Sequence, residues 1–309
     1  MANLINFKAY PLNVVLTDLL KDRTTQDNII FATDAYSEFH ITEKTPISME
    51  LLTGTYPVTI QPRVTKTQQQ QSERTHKKAE VFTPSWMCNK MNNYCDADWF
   101  GREDVFNVET EKDWEVNTEP IRFASAKGWR EYVDSLRLEI TCGEAPYLVS
   151  RYDTTTGEII DVERRIGLLD RKLRVIGENA KTEAEWFKWV QRAYQSVYGY
   201  EFQGDNLLIA RCNLLLTFVE YMQLRWNREP NVKELKAISK IITWNLWQMD
   251  GLTGALPYRV VRIDDDQLDL PGLFDDEEDE SASESLCVIF DWRKQKVLTY
   301  VTIDSTTIH

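Results

Sequence analysis

Leu138-Glu139-Ile140-Thr141-Cys142-Gly143-Glu144-Ala145-Pro146-Tyr147-Leu148 is the stretch on which the fold turns. Residues 137–140 read as a short strand that runs into a glycine-bearing turn. Such a turn lets backbone come close to a ligand, because glycine has no Cβ to obstruct the approach. By itself a single Cys-Gly-Glu fits a structural turn equally well. The chain supplies company for it. Residues 197–202 form a second strand-like run, ending in Glu201 and Phe202, and residues 245–252 (Asn-Leu-Trp-Gln-Met-Asp-Gly-Leu) lead from a third to Asp250 and Gly251. Helical patterns fill the intervals, at 161–178, 182–197 and 205–226. Strands alternating with helices predict an α/β layer with a parallel sheet. Ligands in such sheets bind beyond the carboxyl ends of the strands. There Glu201 can accept hydrogen bonds from two hydroxyls and Asp250 from an exocyclic amine, although each alone reads as an ordinary loop acid.

The rest of the chain is consistent with a large packed core. It has 309 residues, 42% hydrophobic, with ten tryptophans. No basic start followed by an apolar stretch opens it, so no secretory leader and a cytoplasmic location are expected. The five cysteines (Cys88, Cys95, Cys142, Cys212, Cys287) include no C-x-x-C pair, which predicts free thiols and no metal site. The net charge of −13 argues against nucleic acid until it is located. Eleven acids and no base lie between 264 and 284, so the remaining chain carries only −2 and is able to hold a basic cleft.

Along the chain, an N-terminal arm and basic linker are expected over 1–80, a cofactor-binding domain over 81–262, an acidic linker over 263–285 and a C-terminal hairpin over 286–309. In the arm, 14–21 has helical spacing and 28–32 is strand-like. The linker bases Arg63, Lys66, Arg74, Lys77 and Lys78 suit either a solvated face or contacts to a DNA backbone. Residues 84–94 predict a helix with Pro84 in its first turn and Met87 and Met91 on one face. Residues 238–246 turn strand-like at their end, and 286–290 with 297–303 predict a hairpin around a polar turn.

The order of these segments resembles that of the adenine-specific DNA methyltransferases of restriction–modification systems, of the type in which the cofactor segment comes first. Val81-Phe82-Thr83-Pro84 matches the family's segment for the methionine part of S-adenosylmethionine. Residues 138–148 match its Leu-Glu-Pro-Ala-Cys-Gly-x-Gly-x-Phe-Leu turn, keeping Glu139, Cys142, Gly143 and an aromatic at Tyr147. They depart at Ile140, Thr141 and Ala145, the last usually glycine. Residues 199–214 match the acid strand and the Ala-Arg-x-Asn-Leu helix after it, and 245–252 match the third segment. The resemblance spans roughly 60–255. It implies a Rossmann-like methyltransferase fold holding S-adenosylmethionine through Phe82, Thr83, Pro84, Glu139, Cys142, Gly143, Glu201, Phe202, Asp250 and Gly251.

The same family carries an Asn/Asp-Pro-Pro-aromatic segment whose polar residue accepts a hydrogen bond from the target amine and whose aromatic stacks on the flipped base. No Pro-Pro dipeptide occurs in the sequence. The nearest substitutes are Leu256-Pro257-Tyr258 and Phe290-Asp291-Trp292-Arg293, of which Asp291 and Trp292 are the weak catalytic candidates. The chain also ends before a target-recognition domain of the kind the family appends. A partner subunit supplying recognition, with DNA as substrate, is therefore expected; a subunit that binds the cofactor without catalysis is the alternative. Gln267-Leu268-Asp269-Leu270 with Leu273-Phe274 resembles peptides that dock sliding clamps, although docking onto the protein's own body is the simpler expectation.

Overall fold

The computed structural model describes residues 4–65, 83–125, 128–260 and 284–300. It is a mixed α/β arrangement in chain order: helices α1 (Leu12–Leu20) and α2 (Met49–Thr53), helix α3 (Ser85–Phe100), the antiparallel pair β1 (Asn107–Glu109) and β2 (Trp114–Val116), then α4 (Gly128–Asp134) and strand β3 (Arg137–Glu139). Helices α5 (Leu168–Asn179) and α6 (Glu183–Gln195) lead to β4 (Val197–Glu201), and α7 (Gly204–Trp226) and α8 (Val232–Asn245) lead to β5 (Leu246–Gln248). Strands β6 (Ala255–Val260) and β7 (Glu284–Leu286) pair antiparallel, as do β8 (Val288–Asp291) and β9 (Lys296–Thr299).

Strands β3, β4 and β5 lie side by side in that order and all parallel, with Leu138 opposite Tyr198 and Tyr200 opposite Trp247. Each parallel neighbour is reached through two helices, as parallel pairing requires a long crossover. One continuous hydrophobic cluster runs from Ile5 and Phe7 through α1, α5, α6, α7 and α8 to Leu246. The N-terminal arm is thus packed into the same core as the sheet. Arg211 of α7 fixes it there, donating from the interior to the carbonyls of Leu19, Lys21 and Leu246 at 2.6–3.0 Å. Helix α7 is long and apolar enough to cross a membrane by length and composition, but 72% of that apolar stretch is buried within the fold. It is the central core helix.

Several sequence expectations change. Residues 28–32 form isolated bridges, Lys21 with Asn28 and Ile30 with Pro46, and no strand. The helix expected over 161–178 breaks at Gly167, where a side chain would collide with the Leu148 carbonyl; a 3-10 turn precedes it (Val162–Arg164). Residues 238–245 stay helical, and the strand begins only at Leu246. Leu286 belongs to β7 and pairs with Ala255, so the C-terminal hairpin starts at Val288.

Helix α3 runs on past the expected 84–94 and turns a polar face inward. Met91 is 51% exposed, while Cys88, Asn89, Asn92 and Asp96 are buried. The reason is Arg171, 1% exposed, which pairs with Asp96 at 2.5 Å and donates to Asn89 and Asn93 at 2.9 and 2.7 Å. Tyr132 adds a hydrogen bond to Asp96 at 2.9 Å. A buried guanidinium needs such acceptors, which accounts for the polar inner face.

The boundaries expected at 80/81 and 262/263 lie outside the described residues, as do residues 264–283 of the acidic run, Lys66, Arg74, Lys77, Lys78, Phe82 and residues 301–303, while the boundary expected at 285/286 falls within β7.

Candidate functional site

The carboxyl ends of the three parallel strands gather most of the matched segments. β3 delivers the loop from Ile140 to Tyr147, whose handedness alternates: Thr141, Gly143 and Ala145 have φ of +47°, +53° and +63°. Alternation of this kind turns successive N–H groups toward one concave side. The Gly143 N–H donates to Glu201 Oε2 at 2.9 Å, and the Cys142 N–H to the Tyr200 carbonyl at 2.8 Å. An acid at the end of one strand therefore closes on the glycine loop of its neighbour. Its other oxygen, Oε1, accepts from the Gln203 N–H at 3.0 Å, where α7 begins.

Glu139 sits beneath the loop. Its two oxygens accept from the Tyr147 and Leu148 N–H groups at 3.2 and 3.1 Å. Burial pushes its carboxyl up to about 8, opposed by those two hydrogen bonds and assisted by the negative charge of Glu201. Cys142 lies behind it, its thiol pushed well above the usual range by burial and then by Glu139 and Glu201. It is a packing group rather than a nucleophile. Ala145 is fully buried, so the Cβ that replaces the family's glycine points into the core and leaves the concave side of the loop clear.

The third strand brings Asp250 to the same end: the Met249 N–H bonds the Glu201 carbonyl at 3.1 Å. Asp250 Oδ1 accepts from Leu252 N–H at 2.8 Å, holding its own turn. Gly251 passes over Tyr200 so closely that a Cβ there would come within 2.6 Å of the ring. Phe202 is half-buried, with its ring 5.6 Å from that of Tyr258. Leu252, 90% exposed, rims the same surface.

Of the other matched residues, Thr83 reaches the Tyr147 hydroxyl at the end of the loop, and Pro84 lies beyond it. The Thr83 carbonyl accepts from Thr154 Oγ1 at 3.0 Å, and Pro84 caps α3, lining a groove of about 540 Å³ with Trp86, Asp153 and Arg164. Arg63 is tied into the loop: its backbone N–H donates to Glu144 Oε1 at 2.7 Å. Asp291 and Trp292 sit at the opposite end of the sheet. Trp292 Nε1 donates to Asn245 Oδ1 at 2.7 Å, just before β5 starts, and Asp291 Oδ1 accepts from the Arg293 and Lys294 N–H groups in the hairpin turn. Asp291 and Trp292 thus serve the hairpin turn and the packing before β5, separated from Glu201 by the length of the strands. Tyr258, in β6, reaches the site's edge through Phe202.

Sequence reading overlooked three supports of the site. Gln248 joins the arm to the sheet through Ile30 N–H, the Ile30 carbonyl and the Phe202 carbonyl, at 2.8–3.0 Å. Gly204 allows the Ile30 carbonyl against the first turn of α7. Asn213 holds the Glu144 carbonyl at 3.1 Å and the Tyr152 hydroxyl at 3.0 Å. All three lie within matched segments, Gly204 and Asn213 in 199–214 and Gln248 in 245–252, but nothing in the sequence marked their partners.

Two further grooves lie away from this cluster, about 510 Å³ between β3 and the β8–β9 hairpin and about 360 Å³ among α5, α6 and α7. Comparison with protein-family models, with curated proteins and with solved structures finds no match to the chain.

Proposed function

We propose that the chain is an S-adenosylmethionine-binding subunit of the adenine-specific DNA methyltransferase type, with a Rossmann-like cofactor half, acting in the cytoplasm with a partner that completes recognition and catalysis. The observation that carries the reading is the Gly143–Glu201 hydrogen bond across two adjacent parallel strands, with Asp250 at the end of the third. Gly143 offers backbone that a ligand can approach, Glu201 would accept the ribose hydroxyls, and Asp250 would accept from the adenine amine. Thr83 and Phe82 would face the methionine part. Bound there, the cofactor supplies an electrophilic methyl group. This chain's residues orient it; with no Pro-Pro dipeptide in the sequence, none is assigned to the target base. DNA remains the proposed substrate, with Arg63, Lys66, Arg74, Lys77 and Lys78 as backbone contacts.

The same absence, together with Asp291 and Trp292 at the far end of the sheet, favours a second reading: a subunit that binds the cofactor and serves assembly or regulation in DNA defence without transferring the methyl group. Calorimetric titration with S-adenosylmethionine tests both. Saturable binding is expected, weakened roughly tenfold to hundredfold in Glu201→Ala, the worth of one hydrogen bond to a charged group. Transfer of labelled methyl to adenine in DNA by the chain with its neighbouring gene products supports the first reading. Binding with no transfer in any combination supports the second, and no binding sinks both.

A further inference from the structure

The strand that carries the glycine loop is an edge strand. β3 pairs with β4 on one side, and among the described residues nothing pairs with its other side. The Arg137 N–H bonds the Ser196 carbonyl at 2.9 Å, so Arg137 and Glu139 face β4 and the amide groups of Leu138 face outward. Leu136, Leu138 and Ile140 stand on one face and are 58%, 46% and 62% exposed. Parallel sheets normally have both faces covered, and a bare apolar edge invites pairing. Beside this edge runs the groove of about 510 Å³, floored by Leu138, Tyr198, Trp292 and Leu298. Its cations, Arg137, Arg192, Arg293 and Lys294, outnumber the two carboxylates they meet among the described residues: Asp134, paired with Arg192 and Arg293, and Asp291, paired with Lys294. Arg137 Nη2 has no hydrogen-bond partner.

We propose that the β3 edge and this groove seat an extended segment of a second protein, in which apolar residues alternate with carboxylates, added as a strand beside Leu138. Main-chain pairing would orient it, alternate apolar side chains would enter the groove, and its acids would meet the cations of the rim. A second copy of this chain fits less well, since the basic rims would face each other. The chain's own acidic run also fits less well. Its ends, at Val260 and Glu284, pair with each other, and neither is among the described residues that line the groove. The surface goes beyond the cofactor reading and does not depend on it.

The test uses the full chain and two fluorescein-labelled decapeptides, one alternating leucine with glutamate and one alternating leucine with lysine. The expected result is saturable, salt-sensitive anisotropy with the glutamate peptide and at least about tenfold weaker binding of the lysine peptide. Leu138→Glu and Lys294→Glu, both at exposed positions, should each weaken the glutamate peptide about tenfold with unchanged melting. Amide exchange should slow over 136–140. Equal binding of both peptides, no binding, or protection elsewhere overturns the proposal. Binding that appears only after removal of residues 264–283 also overturns it, in favour of the chain's own segment. So does a dimer that Leu138→Glu dissociates. Titration with S-adenosylmethionine, run beside it, reports separately on the cofactor site.

Discussion

Replacing Glu139 by glutamine should reshape how stability depends on pH. In the folded chain burial lifts the Glu139 carboxyl from 4.5 to about 8. Between those limits the folded state holds a proton that the unfolded state has released. Stability is therefore complete below the unfolded value and falls as pH rises toward the folded one. Each pH unit costs 1.36 kcal/mol, so the slope from pH 5 to pH 7 amounts to about 2.7 kcal/mol as an upper bound. Glutamine keeps the shape but offers one acceptor to the Tyr147 and Leu148 N–H groups where the carboxyl offers two, a fixed cost independent of pH, and it does not titrate. Relative to its offset at pH 5, Glu139→Gln should gain about 2–3 kcal/mol on the wild type by pH 8. Urea midpoints of both proteins at pH 5, 6, 7 and 8 give the difference directly, and other acids such as Asp170, raised to about 6, cancel in it. A difference that stays constant with pH would refute the protonated Glu139 beneath the loop.

Thr141→Gly should raise stability by about 0.5–1 kcal/mol in chemical unfolding, because a β-branched residue at φ +47° is strained and glycine is not. Asp96→Ala should cost about 3–5 kcal/mol, read as a lowered melting midpoint, since it leaves the buried Arg171 guanidinium without its counter-charge. Trp292→Phe should cost about 1 kcal/mol for its bond to Asn245 and leave S-adenosylmethionine affinity unchanged by calorimetry, as fits a packing role.

The parallel strands and their order were legible because each ended in a distinctive residue: Gly143 after β3, Glu201 closing β4, Asp250 after β5. Helix α6 was legible from Trp186, Val190 and Tyr194 on one stripe. Helix α3 was legible as a helix from Pro84 onward, but its polar inner face was not, because only the distant Arg171 explains that. Residues 238–245 looked like a strand because β-branched side chains dominate them, yet tertiary packing against α1 and α6 keeps them helical. Within the site, the Gly143–Glu201 contact was foreseeable from the order of segments. The Gln248 and Gly204 contacts to Ile30 were not, since they join matched segments to a residue of the arm more than 170 positions away that carries no motif.

Amide hydrogen exchange with and without S-adenosylmethionine tests most directly whether three loops form one binding surface. Slowed exchange together at 142–144, 201–203 and 249–252, absent in Glu201→Ala, is the result expected. Saturating cofactor that leaves all three unprotected, or that protects only a groove elsewhere, would contradict it.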